Sequence, residues 1–320
     1  MSSVAYAGRS LELSLGESVL DGLLRSGIPV AHACKAGSCG SCMLRAVGGC
    51  VPPRAQVGLK DSWKAQGYFL SCVCVPEADM EVSEAGADTR VTARIMAVDH
   101  LSHDVLRVRL QPERNFDYRA GQYLTLIRDT GLARSYSIAS LPHESELELH
   151  VRLIPGGRMS TWLCEPASVG AQVQLQGPTG ECFYVPDRED QPLLLAGTGT
   201  GLAPLWGIIQ DALRRNHRGP IHLFHGALRM EGLYLREALR ALAARYANFT
   251  YTAAVLEGTE EPGIFIAPID AVIASSHPKL NGWRGFICGD PTLVRSLKRK
   301  LFLAGIAMGD IYSDAFLPSA

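Results

Sequence analysis

Four cysteines carry the clearest chemical signal in the sequence. Cys34, Cys39 and Cys42 share one short loop with the spacing C-x4-C-x2-C, and Cys72 follows about thirty residues later. Four thiolates can hold two bridged irons when three of them converge from one loop. Zinc sites instead pair C-x2-4-C units, which fit this spacing poorly. The pattern therefore predicts an iron–sulfur site with these four metal ligands. Cys74 stays open as an alternative to Cys72, because side chains two residues apart point the same way in a strand.

The elements around these cysteines predict a small sheet folded over one helix. Ser18 is a good N-cap, an apolar helix face follows it, and Gly27 stands where a C′ glycine belongs. A short helix is predicted around residues 59–66 and a linker at 85–88, and strands are predicted at 4–6, 11–15, 43–47, 68–75 and 80–82. This order suits a β-grasp domain. Residues 1 to about 85 resemble a plant-type [2Fe-2S] ferredoxin domain.

Short strands separated by Gly and Pro occupy residues 89–187. Strands are predicted at 92–98, 105–110, 123–127, 134–138, 147–153, 173–175 and 182–185, a pattern typical of an antiparallel β-barrel. Two motifs stand out, Arg134-Ser135-Tyr136-Ser137 and Pro155-Gly156-Gly157-Arg158-Met159-Ser160. The second opens a predicted helix, and the free N–H groups at a helix start favour a phosphate.

Strand–helix alternation fills residues 188–320. A buried strand at 193–196 runs into Gly197-Thr198-Gly199-Thr200-Gly201-Leu202-Ala203-Pro204, and a helix follows. Further strand–helix units at 221–246, 249–275 and 285–304 predict a parallel sheet with helices on both sides. Cys288-Gly289-Asp290 ends one strand, where ligands bind in open α/β sheets. The sequence thus predicts a multidomain chain of α+β and α/β class, with domains at 1–88, 89–187 and 188–320.

These motifs, in this order, resemble the ferredoxin–NADP reductase superfamily in its members with an N-terminal ferredoxin domain. Because such members generally use FAD, the resemblance implies FAD beside a [2Fe-2S] cluster and a nicotinamide dinucleotide. It places Arg134 at the flavin phosphate, Tyr136 against the isoalloxazine ring and Ser137 near the flavin N5. The FAD pyrophosphate is expected to bind four residues of the second motif: Gly157, Arg158, Met159 and Ser160.

The same resemblance implies roles around the nicotinamide. The glycine loop is expected to approach the dinucleotide pyrophosphate through Gly197, Thr198, Gly199, Thr200, Gly201 and Pro204. Cys288 is expected to position the nicotinamide, with Gly289 and Asp290 beside it, and Phe316 to cover the flavin. The catalytic residues implied by the resemblance are Ser137, Cys288 and Phe316.

The segment after the second strand of this domain bears on the choice of nucleotide. Its one cation is Arg229, and Glu231 would repel a 2′-phosphate. NADH is therefore predicted in preference to NADPH.

Composition excludes several classes of protein. The net charge of the 320 residues is −1, which gives no argument for nucleic acid or a membrane surface as a partner. No apolar run approaches the ~18 residues that span a bilayer. The first residues lack a basic segment before an apolar core, which argues against secretion. Nine cysteines then indicate metal ligands and free thiols, and we expect a cytoplasmic protein that is a monomer when free.

The chain as a whole resembles the reductase components of bacterial aromatic-ring (Rieske-type) dioxygenase systems. This resemblance implies electron flow from NADH through FAD and the cluster to an oxygenase component or a separate ferredoxin. Two alternatives share the motifs, namely the reductase of a soluble di-iron hydroxylase and that of a deoxysugar-forming dehydratase system. A third, of another class, is a non-enzymatic β-grasp interaction protein with degenerate cofactor sites.

Overall fold

The computed structural model describes residues 2–59, 63–64, 66–85, 90–129, 132–186, 188–259 and 261–316. They form three domains, each built around one sheet. Within these ranges no helix is long and apolar enough to cross a bilayer.

The first domain is a five-stranded mixed sheet over one helix, as predicted for a β-grasp fold. Its elements are β1 (Ser3–Tyr6), β2 (Arg9–Glu12), α1 (Val19–Arg25), β3 (Met43–Gly48), β4 (Tyr68–Leu70) and β5 (Met80–Glu84). The strand order is β2-β1-β5-β3-β4, and β1 and β5 run parallel. The side chain of Ser18 caps α1 by accepting from the Asp21 N–H, and Gly27 has a φ of +72°, so both helix ends were predicted correctly.

One strand of this domain is shorter than predicted. The strand expected at 68–75 ends at Leu70, and a 3-10 turn, Ser71–Val73, follows. The N–H and hydroxyl of Ser71 both donate to the Cys42 carbonyl, at 3.2 and 2.7 Å, which pulls the chain out of the sheet toward the cysteine loop. The helix expected around 59–66 and the linker expected at 85–88 include positions outside the described ranges.

The second domain is a six-stranded antiparallel barrel. Its elements are β6 (Arg90–His100), β7 (Val105–Pro112), β8 (Tyr123–Asp129), β9 (Leu132–Ser137), β10 (Leu147–Arg152), α2 (Arg158–Cys164) and β11 (Gln172–Thr179). The order is β10-β7-β6-β11-β8-β9, and a bridge between Ile138 and Leu149 joins the two outer strands. The strand expected at 182–185 is wrong, because this segment has no ladder partner and buries Cys182 and Tyr184 from an irregular backbone.

The third domain is a six-stranded parallel sheet with helices on both faces. Its elements are β12 (Leu193–Thr198), α3 (Leu202–Arg214), β13 (Ile221–Ala227), α4 (Arg236–Arg245), β14 (Phe249–Val255), β15 (Ile264–Ile266), α5 (Ile269–Ser276), β16 (Arg284–Gly289), α6 (Pro291–Leu303) and β17 (Ile311–Ala315). The order is β15-β14-β13-β12-β16-β17. The chain leaves β12 toward one side and later returns to β16 on the other, which creates a crevice at the carboxyl ends of these strands.

Candidate functional site

The four predicted metal ligands form two contacting pairs. The thiol of Cys34 contacts that of Cys39, and the thiol of Cys42 contacts that of Cys72. Among the described residues, no three His, Cys, Asp or Glu side chains converge on one metal position. The four thiols of these two pairs would hold a two-iron cluster, which carries electrons one at a time.

The cysteine loop also supplies hydrogen-bond donors to its sulfurs. The N–H of Ala36 and the hydroxyl of Ser38 each donate to Cys34 Sγ at 3.3 Å. Together with the contact from Cys39, which is the largest cause, these donors lower the pKa of the Cys34 thiol well below its usual value. Lys35, Gly37 and Gly40 all have positive φ, which turns the loop tightly enough to present such donors. This is the environment that holds thiolates and tunes an iron–sulfur cluster.

The two candidates for the fourth ligand lie in different places. Cys72 stands in the 3-10 turn, is half-buried and contacts Cys42. Cys74 has no exposed surface, packs in the core of the first domain, and has a pKa raised to about 12 by burial. The shared strand face that left Cys74 open does not exist, and the geometry favours Cys72.

A cleft of ≈ 1700 Å³ connects all three domains. The predicted site residues that line it are Cys34, Cys39, Arg134, Tyr136, Ser137, Gly157, Arg158, Met159, Ser160, Thr198, Gly199, Thr200, Arg229, Gly289, Asp290 and Phe316. The structure thus brings the cysteine loop, both barrel motifs, the glycine loop and the end of the chain to one space. The other predicted site residues, Cys42, Cys72, Gly197, Gly201, Pro204 and Cys288, are not part of the lining.

The barrel motifs face this cleft from β9 and from the turn before α2. Arg134 and Tyr136 are half-buried and Ser137 is buried. A Cβ at Gly157 would lie 2.7 Å from Ser160 Oγ and 2.9 Å from the Ile154 carbonyl, so the turn requires glycine there. The Ser160 hydroxyl donates to the Gly157 carbonyl and accepts from the Ile154 N–H, both at 3.2 Å. The residues therefore form a narrow turn that fits a pyrophosphate, and Ser160 holds the turn in shape.

The glycines of the loop at 197–201 have two different structural roles. A Cβ at Gly201 would lie 2.2 Å from the Cys288 carbonyl oxygen, and one at Gly197 would lie 2.8 Å from Leu205 Cδ1. These two glycines allow β12, β16 and α3 to approach closely. Gly199 has a φ of +53° and a Cβ there would meet nothing nearer than 3.9 Å, so its backbone lies open to the cleft. Such an open backbone fits a dinucleotide phosphate.

Cys288 is fully buried at the end of β16, and a second cysteine stands beside it. The Sγ atoms of Cys182 and Cys288 are 3.5 Å apart, and Cys182 is the one that reaches the cleft. Burial is the main cause that raises the pKa of the Cys288 thiol well above its usual value. Sequence reasoning gave Cys182 no role, since 106 residues separate it from Cys288.

Asp314 is a second residue of the cleft that sequence reasoning missed. It lies on β17, lines the cleft and accepts a hydrogen bond from the side chain of Ser137. Burial raises its pKa to about 6, and the bond from Ser137 opposes that rise. Asp314 can therefore hold or release a proton near neutral pH at the side chain of Ser137. Its neighbour Phe316 is half-buried and is fixed by a backbone bond to the Gly289 carbonyl at 2.8 Å.

Two charged residues of the cleft wall are already engaged within the protein. The carboxylate of Asp290 caps α6 by accepting from the Thr292 and Leu293 N–H groups, at 2.8 and 3.0 Å. The guanidinium of Arg229 binds Glu257 at 2.8 Å.

Comparison with known proteins agrees with this geometry. Three domain families match: the 2Fe-2S iron–sulfur cluster binding domain over 4–77, the oxidoreductase FAD-binding domain over 92–184 and the oxidoreductase NAD-binding domain over 195–299. The chain is 34% identical over 317 residues to a Ralstonia sp. protein, the reductase component of naphthalene 1,2-dioxygenase/salicylate 5-hydroxylase systems, with 97% of this chain and 96% of the relative covered. The chain belongs to the family of reductase components of aromatic oxygenase systems.

Solved structures of similar proteins support the same assignment for this reductase. An Amycolatopsis cytochrome P450 reductase superposes with a TM-score of 0.71 at 29% identity, over 99% of each chain. The ferredoxin reductase in carbazole 1,9a-dioxygenase superposes with a TM-score of 0.67 at 25% identity, over 98% of each chain. The predicted arrangement of three domains is confirmed.

This reductase is an iron–sulfur flavoprotein that transfers electrons from NAD(P)H to FAD and then to a 2Fe-2S cluster. When bound, NAD(P)H supplies an electron pair, FAD divides it, and the cluster carries one electron at a time. The side chains that line the cleft would bind these groups, orient them and exclude water from them. The interaction-protein alternative is wrong, because the chain is a member of an enzyme family over its whole length.

Proposed function

We propose that this reductase oxidises NADH and delivers single electrons to the oxygenase component, or to an intermediate ferredoxin, of an aromatic-ring dioxygenase system. The observation that carries the proposal is the shared cleft, in which Cys34 and Cys39 line the same space as Tyr136 and Ser137. A cluster site and a flavin site that open on one cleft allow transfer without a mobile carrier between them. Relatives from naphthalene and terephthalate dioxygenase systems, 30–34% identical, support this class of partner.

The assignment of residues follows the same geometry. We assign the cluster to Cys34, Cys39, Cys42 and Cys72, because these thiols pair and receive donors from their own loop. The FAD site takes Arg134, Tyr136 and Ser137 with the turn at 157–160, and the nucleotide site takes the loop at 197–201 with Pro204. Gly289 and Phe316 complete the cleft where nicotinamide and flavin meet, the buried Cys288 supports its wall, and Asp290 shapes it by capping α6. The domains extend over 1–88, 89–187 and 188–320.

The choice of NADH is supported by charge at the end of β13. Arg229 is paired with Glu257, and Glu231 lies on the same part of the cleft wall. A 2′-phosphate would have to break the ion pair and approach two carboxylates, which disfavours NADPH. None of the nine cysteines, all of which lie in the described ranges, forms a disulfide. We propose that the protein acts as a monomer in the cytoplasm, where NADH and reduced thiols are available.

A monooxygenase or demethylase partner is the second candidate. It is favoured by the reductase subunit of an Amycolatopsis aromatic O-demethylase, 32% identical over 337 residues with 99% of each chain covered. Electron delivery to purified oxygenases of both classes distinguishes the two, because the correct partner gives product formation in proportion to NADH consumed.

The proposal is tested first by the absorption spectrum of the purified protein before and after anaerobic addition of NADH. Flavin bands near ~450 nm and iron–sulfur absorption at longer wavelength should both bleach. The Cys39→Ser variant should lose reduction of one-electron protein acceptors and keep ferricyanide reduction through the flavin. A lower KM for NADPH than for NADH, or loss of both activities together in the variant, would contradict the proposal.

A further inference from the structure

Three consecutive backbone carbonyls of the cysteine loop accept hydrogen bonds from side chains of the barrel. Tyr123 Oη donates to the Ser38 carbonyl. Thr125 Oγ1 donates to the Cys39 carbonyl at 3.0 Å, and Gln176 Nε2 donates to the Gly40 carbonyl at 2.7 Å. The acceptors are the second predicted ligand, Cys39, and the residues directly before and after it in the loop.

The three donors form one surface of the barrel. Tyr123 and Thr125 are two residues apart on β8 and therefore point the same way. Gln176 lies on β11 directly opposite Thr125 in the antiparallel ladder. Thr125 is 0% exposed and Gln176 is 2% exposed. Buried polar groups are destabilising unless they are paired, so these two side chains favour the arrangement in which the loop carbonyls meet them.

Apolar packing does little to fix the orientation of the cysteine loop on the barrel. The apolar cluster formed among the described residues where the cysteine loop meets the barrel consists of Ala31, Ile127 and Ala133. Apolar contact is non-directional, and a patch of this size leaves the orientation of the loop open. Hydrogen bonds are directional, and three of them on adjacent peptide groups define both the distance and the tilt of the loop.

We propose that Tyr123, Thr125 and Gln176 are positioning residues that hold the cluster loop against the flavin cleft and so set the rate of flavin-to-cluster electron transfer. The inference rests on the cluster ligands assigned under Proposed function. The transfer moves one electron from reduced FAD to the oxidised cluster, and no bond in the protein forms or breaks. The donors also place the positive ends of three dipoles beside the loop, which favours the more negative, reduced cluster. Their removal therefore lowers the midpoint potential of the cluster.

The test uses the full-length protein loaded with both cofactors and the double variant Thr125→Val/Gln176→Met, which keeps side-chain size and removes two donors. Anaerobic stopped-flow with NADH separates flavin reduction from cluster reduction. A redox titration followed by the EPR signal of the reduced cluster gives its potential, and hydrogen exchange of residues 34–43 reports the docking of the loop. We expect unchanged flavin reduction, cluster reduction slower by about tenfold or more, a lower potential and faster exchange.

Matched controls keep the experiment decisive. Gln174 lies on the same strand and donates to Thr92 Oγ1 at 3.0 Å within the barrel, so Gln174→Met should behave as wild type. Thr125→Ser keeps the hydroxyl and should restore the wild-type potential. If the double variant does not load its cluster, the single Gln176→Met variant replaces it with the same expected directions.

A wild-type rate, potential and exchange in a loaded variant would overturn the inference. A failure of the proposed cluster site gives a different result, because the wild-type protein would then lack the EPR signal of a reduced [2Fe-2S] cluster.

Discussion

Arg229 Nε lies 2.8 Å from a carboxylate oxygen of Glu257, so the cation beside the nucleotide end of the cleft is neutralised from within the protein. Both side chains are exposed, and exposed ion pairs are weak. A weak pair is easily exchanged for another anion when one partner is changed. The preference between the two nicotinamide nucleotides should therefore be adjustable at this point.

The variant Glu257→Gln releases Arg229 to meet a 2′-phosphate. We expect the KM for NADPH to fall by about two- to fivefold and the KM for NADH to change little, since both side chains are exposed and such ion pairs are weak. Glu261→Gln is the control, because Glu261 pairs with Arg236 outside the cleft lining. Steady-state kinetics with both nucleotides measures the effect, and an unchanged KM for NADPH would count against Arg229 as the discriminating cation.

Ionisation of Asp314 should make the free energy of unfolding depend on pH. Its pKa of about 6 in the folded protein lies above the ordinary value of 3.8, so the ionised carboxylate is disfavoured by folding. The resulting loss of stability is absent below about pH 4, grows as the pH rises, and is complete above about pH 6.

Asp314→Asn removes this penalty and should raise the free energy of unfolding by about 1–3 kcal/mol at pH 8, and by roughly half as much at pH 5. Thermal unfolding at the two pH values measures the difference. The exposed residue Asp117 provides the control as Asp117→Asn. A gain of the same size at both pH values would show that ionisation of Asp314 is not the cause.

The fourth cluster ligand can be decided by two variants of neighbouring cysteines. Cys72→Ser should lose iron–sulfur absorption, because the thiol that pairs with Cys42 is replaced. Cys74→Ala should keep the cluster and lose about 1 kcal/mol of stability from a small cavity in the core. Iron content and the visible spectrum of both proteins report the outcome, and the reverse result would transfer the ligand assignment to Cys74.

The flavin site is tested by Arg134→Ala. Arg134 lines the cleft from β9, and loss of its charge should lower the FAD content of the purified protein by more than about half. Arg94→Ala is a fair comparison, since Arg94 lies on β6 of the same barrel and donates to the Gly170 carbonyl. FAD released by denaturation is quantified by absorbance. Full occupancy in the Arg134 variant would refute its contact with the flavin phosphate.

Local signals predicted a large part of this structure. The cap at Ser18, the glycine after α1 and the strand–loop–helix unit around Gly197–Gly201 depend on neighbours along the chain, and the structure has them where they were expected. The spacing of the cysteines likewise reflects one loop that must converge on one site. Short-range patterns of this kind are visible in a single sequence.

Long-range contacts explain what was missed. The strand at 68–75 ends early because Ser71 bonds to the Cys42 carbonyl, 29 residues away. Cys182 acquires its place from contact with Cys288, and Asp314 from contact with Ser137. In each case one partner belongs to a recognised motif, but the other comes from a distant segment, and no local pattern predicts that the two meet.

The contact between the cluster loop and the barrel also has an evolutionary consequence. Its acceptors are main-chain carbonyls, which every amino acid supplies, so these hydrogen bonds do not depend on the identity of the side chains in the loop. A gene fusion or exchange that introduces another ferredoxin domain with the same loop conformation would preserve the hydrogen bonds to the barrel. Recognition through the backbone thus constrains the side chains on the barrel side of the contact, whereas on the ferredoxin side it constrains the conformation of the loop, including the positive φ of Gly40.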